Sequence, residues 1–270
     1  MRRCLLTTAS LALAVLLTGC SAPGGTPATG SPGSAFGSSS GPATAAPASS
    51  TTASAPAAEP TASAPSAEPT PEATSTGRDL DSAASPTVVV NKARPLNPVD
   101  YAPASLEEVG GVRLRAEAAQ ALAALRADAA AAGHDLTVLS GYRSHQRQRE
   151  VYAGWVDHHG STEAADRVSA RPGHSEHQTG LAVDVGDAAA PDCDLAACFG
   201  QTGAGRWVAE HAHEHGFVVR YPAGAEPVTG FSAEPWHLRW LGPEAAAEVR
   251  MAGGVVETAF RLPAAPNYPG

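Results

Sequence analysis

Two short stretches hold residue types that do chemistry at useful spacings. One is Ser175-Glu176-His177-Gln178-Thr179-Gly180-Leu181-Ala182-Val183-Asp184, and the other is Glu234-Pro235-Trp236-His237. Together they offer two histidines and one aspartate as metal ligands. A glutamate stands three residues before the second histidine. A catalytic zinc site needs three protein ligands and one open position for water. It also needs a base nearby to take a proton from that water. The candidate ligands are His177, Asp184 and His237, and the candidate base is Glu234.

These side chains need strands to hold them. Leu181 to Val185 alternate and predict a strand with Leu181, Val183 and Val185 on a core face. Ala182 and Asp184 then share the opposite face. An aspartate among valines on a half-buried strand is costly unless compensated, and a metal would compensate it. His177 lies an odd number of residues from Asp184, so a continuous strand would point it the wrong way. The Gln178-Thr179-Gly180 segment supplies a turn that reorients it. In a second strand, Trp236 to Trp240, the residues Trp236, Leu238 and Trp240 face the core. His237 and Arg239 then face the same side as Asp184. Glu234, before a proline, is expected in a turn that leads into this strand.

A third piece is Ser140-Gly141-Tyr142-Arg143-Ser144, followed by Gln148. Arg143 is expected at a strand-to-helix corner, where its guanidinium reaches into a cleft. Arginine binds carboxylates bidentately and stabilises oxyanions. Gln148 lies about one helical turn further on.

The rest of the chain supports these pieces. Apolar spacing predicts a helix from about Leu114 to Ala132, stopped by Gly133. Leu136 to Ser140 read as a strand, and Ser144 caps a helix running through His158. Ser161 to Val168 suggest a short helix, and residues 170–179 a loop. A helix over Gly205 to His215, a strand over Phe217 to Tyr221 and a helix over Pro243 to Met251 complete the domain. Helices come early and strands cluster later. That order argues for an α+β fold with a small, mostly antiparallel central sheet flanked by helices.

The chain has 270 residues and a formal net charge of -9. It lacks the basic patch that nucleic acid requires and the polybasic stretch of a membrane-surface protein. Arg2 and Arg3 followed by the apolar run Leu5 to Leu17 predict a signal peptide over residues 1–19. Leu17-Thr18-Gly19-Cys20 resembles the bacterial lipobox, which implies lipidation of Cys20. An ordinary cleaved signal with an incidental cysteine is the alternative. Residues 20–90, rich in Ala, Pro, Ser and Thr, cannot bury enough surface to offset the entropy of ordering them. They are expected to form a tether with a reach of roughly 45 Å. Residues 91–270 form one domain. Cys193 and Cys198, in an exported chain, are expected to form a small disulfide. Zinc ligation by this pair is the weaker reading, because no second close pair completes a four-sulfur site.

Taken together, these motifs resemble the VanY-type D-alanyl-D-alanine carboxypeptidases, zinc peptidases of bacterial cell-wall metabolism. The resemblance runs from roughly Asn97 to Val249. It includes Ser140 to Ser144 with Gln148, the run Ser169 to Asp184, Gly216-Phe217 with Arg220-Tyr221-Pro222, and Glu234 to Arg239. It implies a hedgehog/DD-peptidase-like fold. It also implies Zn2+ on His177, Asp184 and His237, with Glu234 as catalytic base. By the same resemblance Arg143 stabilises the tetrahedral intermediate, and Gln148 and Ser175 lie near the bound peptide. The substrate would be a peptidoglycan stem peptide losing its C-terminal D-alanine. The protein would be a monomer, lipid-anchored on the outer face of the cytoplasmic membrane and facing the wall. The segment Asp187 to Thr202, with its cysteine pair, looks like a local addition to the family pattern.

Other readings stay open at the sequence level. The same scaffold supports L,D-carboxypeptidase or stem-peptide endopeptidase activity. A non-catalytic wall-binding lipoprotein is a different class, disfavoured by the intact ligand set. A solute-binding lipoprotein needs two lobes, and this domain is too short. His211, His213 and His215 are expected on a solvated helix face rather than in a metal site. His174 is expected to line the cleft without ligating. Trp207 and Tyr152 are expected in the core.

Overall fold

The computed structural model describes residues 77–270. The expected signal peptide, Cys20 and the tether up to residue 76 lie outside the described residues. Residues 77–90 correct the expected domain boundary. Val88, Val89 and Val90 are buried, so the folded unit begins before residue 91. Three consecutive valines supply apolar surface that the preceding Ala/Pro/Ser/Thr stretch lacks.

A hairpin of β1 (Glu107–Val109) and β2 (Val112–Leu114) comes first. It turns through Gly110 and Gly111, both at positive φ. Sequence periodicity did not reveal it, because three-residue strands carry too little pattern. Then follow α1 (Ala116–Ala131), β3 (Leu136–Ser140), α2 (His145–His159) and α3 (Thr162–Ala165). Leu114 therefore ends a strand instead of opening the helix. Ser144 caps α2 as expected, its side chain accepting from the Arg147 amide. Next come β4 (Ala182–Asp187), α4 (Gly203–His211), β5 (Phe217–Tyr221), α5 (Glu226–Thr229), β6 (Glu234–Trp240), α6 (Pro243–Met251) and α7 (Val256–Ala259).

The four longer strands make one sheet in the order β3-β4-β6-β5, antiparallel throughout. The expected α+β class is the class observed. One face of the sheet carries Leu181, Val183, Val185 and Leu238. It packs on Leu122 and Leu125 of α1 and Val208 of α4. Trp236 and Trp240 pack partly buried against the same core. The alternation along β4 and β6 leaves Asp184, His237 and Arg239 on the other face. A second cluster joins α6 to Val89, Val218 and Val256. The N-terminal segment and the C-terminal helices thus brace the sheet from outside its central strands.

Candidate metal centre

Asp184 and His237 face each other across the β4–β6 ladder. His177 reaches them from a 3-10 turn, Glu176–Thr179, that precedes β4. Gly180 ends this turn at φ +72, and a Cβ there would meet Leu106, Arg115 and Pro103 at 3.0–3.2 Å. The turn, expected from Gln178-Thr179-Gly180, brings His177 to the side where Asp184 lies. His177 Nδ1–H donates to the Gly141 carbonyl at 2.8 Å. Gly141 itself packs tightly on β2, where a Cβ would lie 2.7 Å from Val112.

His177 Nε2 therefore faces Asp184 Oδ2 at 3.2 Å. His237 Nδ1 faces Asp184 Oδ1 at 3.2 Å, yet that oxygen is buried with no hydrogen-bond partner. Donor atoms of the three side chains lie within 4.8 Å of one another, and all three residues are buried. A buried, unpaired carboxylate oxygen beside two imidazoles is the donor set of a zinc hydrolase. The residues fit the ion. Among the described residues this is the one grouping of His, Cys, Asp and Glu with metal-ligand spacing.

The electrostatics agree. Burial opposes ionisation of Asp184, but His177 and His237 hold its carboxyl well below the usual carboxylate range. Burial also pushes the His177 imidazole down, against the pull of the Asp184 carboxylate. For His237 burial works in the same direction, but the neighbouring carboxylates of Asp184 and Glu176 override it and raise the imidazole to about 10. Burial pushes Glu234 up to about 7, with the Asp184 charge adding to the rise.

Glu234 lies in the first position of β6, not in a preceding turn. It pairs with Tyr221 where the β5–β6 register shifts. The shift redirects the end of the strand and brings Glu234 Oε2 to 3.6 Å from His237 Nδ1. Arg143 sits at the expected corner between β3 and α2. Its Nη1 donates to Gln148 Oε1 at 2.9 Å and its Nη2 to Ser140 Oγ at 3.0 Å. Gln148 is buried, and its amide donates in turn to the Ala170 carbonyl at 2.6 Å. Gln148 therefore braces Arg143 directly.

A cavity of about 430 Å³ joins these groups. Arg143, Gln148, Ser175, His177, Asp184, Glu234 and His237 all line it. Its rim carries Trp155 and Leu195, both exposed. Leu195 belongs to the loop closed by the Cys193–Cys198 disulfide, so the expected bridge is present. A larger apolar hollow lies beside β5 and α6 and contains none of the metal-site residues. The smaller cavity is the functional candidate because the titratable groups converge there.

His174 departs from expectation. It turns away from the cavity, with Nδ1 2.8 Å from the Asn91 carbonyl and its ring edge-on to Tyr268. His211 contacts Glu214, and His215 contacts Asp128. The chain leaves α-helical geometry after His211, so these two imidazoles share no helical face. Trp207 packs against the main core. Tyr152 bonds Asp166 at 2.6 Å.

Sequence reasoning missed Glu176, Arg220 and Glu257, and read Arg239 only as a polar-face residue. All four are buried beside the metal centre. Charged residues read locally as solvated, and nothing in their spacing announces partners distant in sequence.

Comparison with known proteins agrees with this geometry. The model of the VanY family, described as D-alanyl-D-alanine carboxypeptidase, matches residues 111–243. The YodJ protein of Bacillus subtilis (strain 168) is 38% identical over 172 residues, covering 60% of this chain and 62% of that one. The structure of the LdcB LD-carboxypeptidase superposes with a TM-score of 0.61 at 35% identity, covering 66% of this chain and 87% of that one. A VanY D,D-pentapeptidase mutant from a VanB-type resistance cassette, solved in complex with Zn(II), gives 0.56 at 31% identity, covering 64% and 97%. The chain spans about three fifths of the length of the curated relatives it matches. With its fold, its ligand triad and these likenesses in agreement, the chain belongs to the VanY family of D-alanyl-D-alanine carboxypeptidases.

Proposed function

We propose that this protein is a zinc carboxypeptidase that removes the C-terminal D-alanine from peptidoglycan stem peptides. The observation that carries this reading is the convergence of Glu234, Arg143 and the His177–Asp184–His237 triad on one cavity. His177, Asp184 and His237 would hold the zinc, which when bound would supply a Lewis acid and lower the pKa of water to about 7. Glu234 takes the proton from the water that attacks the terminal peptide carbonyl. The guanidinium of Arg143 donates to the oxygen that gains negative charge, a contact commonly worth roughly 3–4 kcal/mol. Glu234 then gives the proton to the departing amine as the C–N bond breaks. Gln148 and Ser140 keep Arg143 aimed, so its entropy is spent before substrate arrives. Ser175, buried at the cavity wall, offers a hydroxyl to the peptide.

The likeness to LdcB supports a second reading, removal of D-alanine from a tetrapeptide across an L,D bond. Mass spectrometry of defined muropeptides with the zinc-loaded protein and an EDTA control separates the two. Pentapeptide shortened by one D-alanine supports the D,D reading. Tetrapeptide converted to tripeptide supports the L,D reading. Internal cleavage moves the assignment to an endopeptidase. A zinc-loaded protein that cuts none of these leaves a wall-binding role.

Location belongs to the same proposal. The apolar run Leu5 to Leu17 closing on Thr18-Gly19-Cys20 supports a lipid anchor on Cys20. The domain then works as a monomer on the outer face of the cytoplasmic membrane, tethered within reach of the wall. Labelled fatty acid should enter the wild-type protein and not Cys20→Ala.

A further inference from the structure

Glu176 is a buried carboxylate that the proposed mechanism leaves unused. It follows Ser175 and precedes the ligand His177, and it is 2% exposed. Its two oxygens are divided between two tasks. Oε1 accepts from Arg220 Nε at 2.8 Å and from Arg239 Nη1 at 3.0 Å. Oε2 is left for the Nε2 of His237, 3.4 Å away. The opposite nitrogen of His237, Nδ1, is the one that faces Asp184 and Glu234.

We propose that Glu176 is a positioning residue for the metal centre: it accepts the Nε2–H of His237 and thereby leaves Nδ1 as the metal-ligating atom. A ligating histidine commonly donates its other ring N–H to a carboxylate, which fixes the tautomer and the ring orientation. This inference rests on the zinc reading of the triad and adds to it which atom ligates and what holds that atom in place.

The two arginines that hold Glu176 are themselves held by groups outside the family match. Arg220 is held bidentately by Glu257 of α7, through Nη1 at 3.0 Å and Nη2 at 2.6 Å. Asn91 also donates to Glu257, at 3.0 Å. Arg239 Nη2 donates to the Val88 carbonyl at 2.7 Å and the Pro86 carbonyl at 3.1 Å. Val88, Pro86, Asn91 and Glu257 all lie beyond residues 111–243. Two carboxylates and two guanidiniums balance in charge, which is what makes burial of all four tolerable. The segment before residue 91 and the helix after α6 therefore belong to the metal site's support, although neither supplies a ligand.

The alternative is a purely structural ion cluster that happens to lie near His237. Zinc affinity separates the two, measured on the full chain by competition with a chromophoric chelator. Glu176→Gln should weaken zinc roughly 10- to 100-fold, and Glu257→Gln should weaken it less. Wild-type affinity in a Glu176→Gln protein with an unchanged circular dichroism spectrum would overturn the proposal. A measurement on the unaltered protein guards against a variant that fails to fold. In 15N-histidine spectra of the zinc-loaded chain, His237 should be metallated at Nδ1 and protonated at Nε2. Metallation at Nε2 would overturn the inference while leaving the zinc reading intact. Absence of zinc binding by the wild-type chain would instead remove the reading on which the inference rests.

Discussion

Asp184 and His237 are direct cross-strand partners, and their facing atoms, Oδ1 and Nδ1, lie 3.2 Å apart. Two ligands are thus fixed by the register of one antiparallel ladder. A slip of one residue in either strand would turn that strand's ligand to the core face and part the two. The third ligand and the base are placed by irregular features, a 3-10 turn for His177 and a register shift for Glu234.

Loss of a ladder ligand should release the metal. Asp184→Asn keeps the shape and removes the charge that the two imidazoles balance. We expect stoichiometric zinc in the wild type and little in Asp184→Asn or His177→Ala after dialysis, read by elemental analysis. Full zinc occupancy in either variant would contradict the ligand assignment. Because ligating imidazoles must be neutral, wild-type affinity should also fall as the pH is lowered.

Glu234→Gln should leave zinc bound and lower kcat by about 10²- to 10⁴-fold, the span usual for a positioned base. The check pairs metal analysis with steady-state rates on the substrate found by mass spectrometry. Turnover near wild type would remove Glu234 from the mechanism.

Arg143→Ala should cost about 10²- to 10³-fold in kcat, as expected for one oxyanion donor. Gln148→Ala should show a smaller loss of the same kind, since Gln148 acts by bracing Arg143. If Gln148→Ala changed only KM, its role would be contact with the peptide instead.

The buried Glu257 gives a signed pH effect on stability. Burial opposes its ionisation, but Arg220 and Asn91 hold its carboxyl below the ordinary value of 4.5. A carboxyl depressed on folding contributes stability that is fully present above that value. The contribution is lost as the pH falls through the lower, folded value. The wild-type melting temperature should therefore drop below about pH 4.5. Glu257→Gln should be less stable at neutral pH by about 3 kcal/mol, with a shallower acid slope. Equal acid slopes in the two proteins would refute the assignment.

The loop closed by Cys193–Cys198 brings Leu195 to the cavity rim at φ +53, a conformation rare for leucine. Replacing both cysteines by serine should cost about 2 kcal/mol for so short a loop. Leu195→Ser should raise KM for a long muropeptide more than for a short acylated D-alanyl-D-alanine. Equal effects on both substrates would mean that the rim makes no contact with the distal part of the substrate.

The sequence, through its motifs and their resemblance to the VanY family, was enough to place His177, Asp184, His237 and Glu234 in one site, and its patterning ordered most helices and strands. Those signals are local: alternation along β4 and β6, a capping serine at α2, a glycine that ends a turn. It was also enough to pair Cys193 with Cys198, because the two are close along the chain. Tertiary structure alone decided which charges are buried. Arg220, Arg239, Glu176 and Glu257 look like surface residues one at a time, and only long-range pairing makes their burial affordable. The same reason moved the domain boundary ahead of residue 91, since Val88 and Pro86 receive Arg239 from a strand about 150 residues away. His174 left the cavity because Tyr268, near the end of the chain, offers its ring an apolar partner. Local pattern sets which elements form, whereas the partners of a buried charge are set by how distant elements meet.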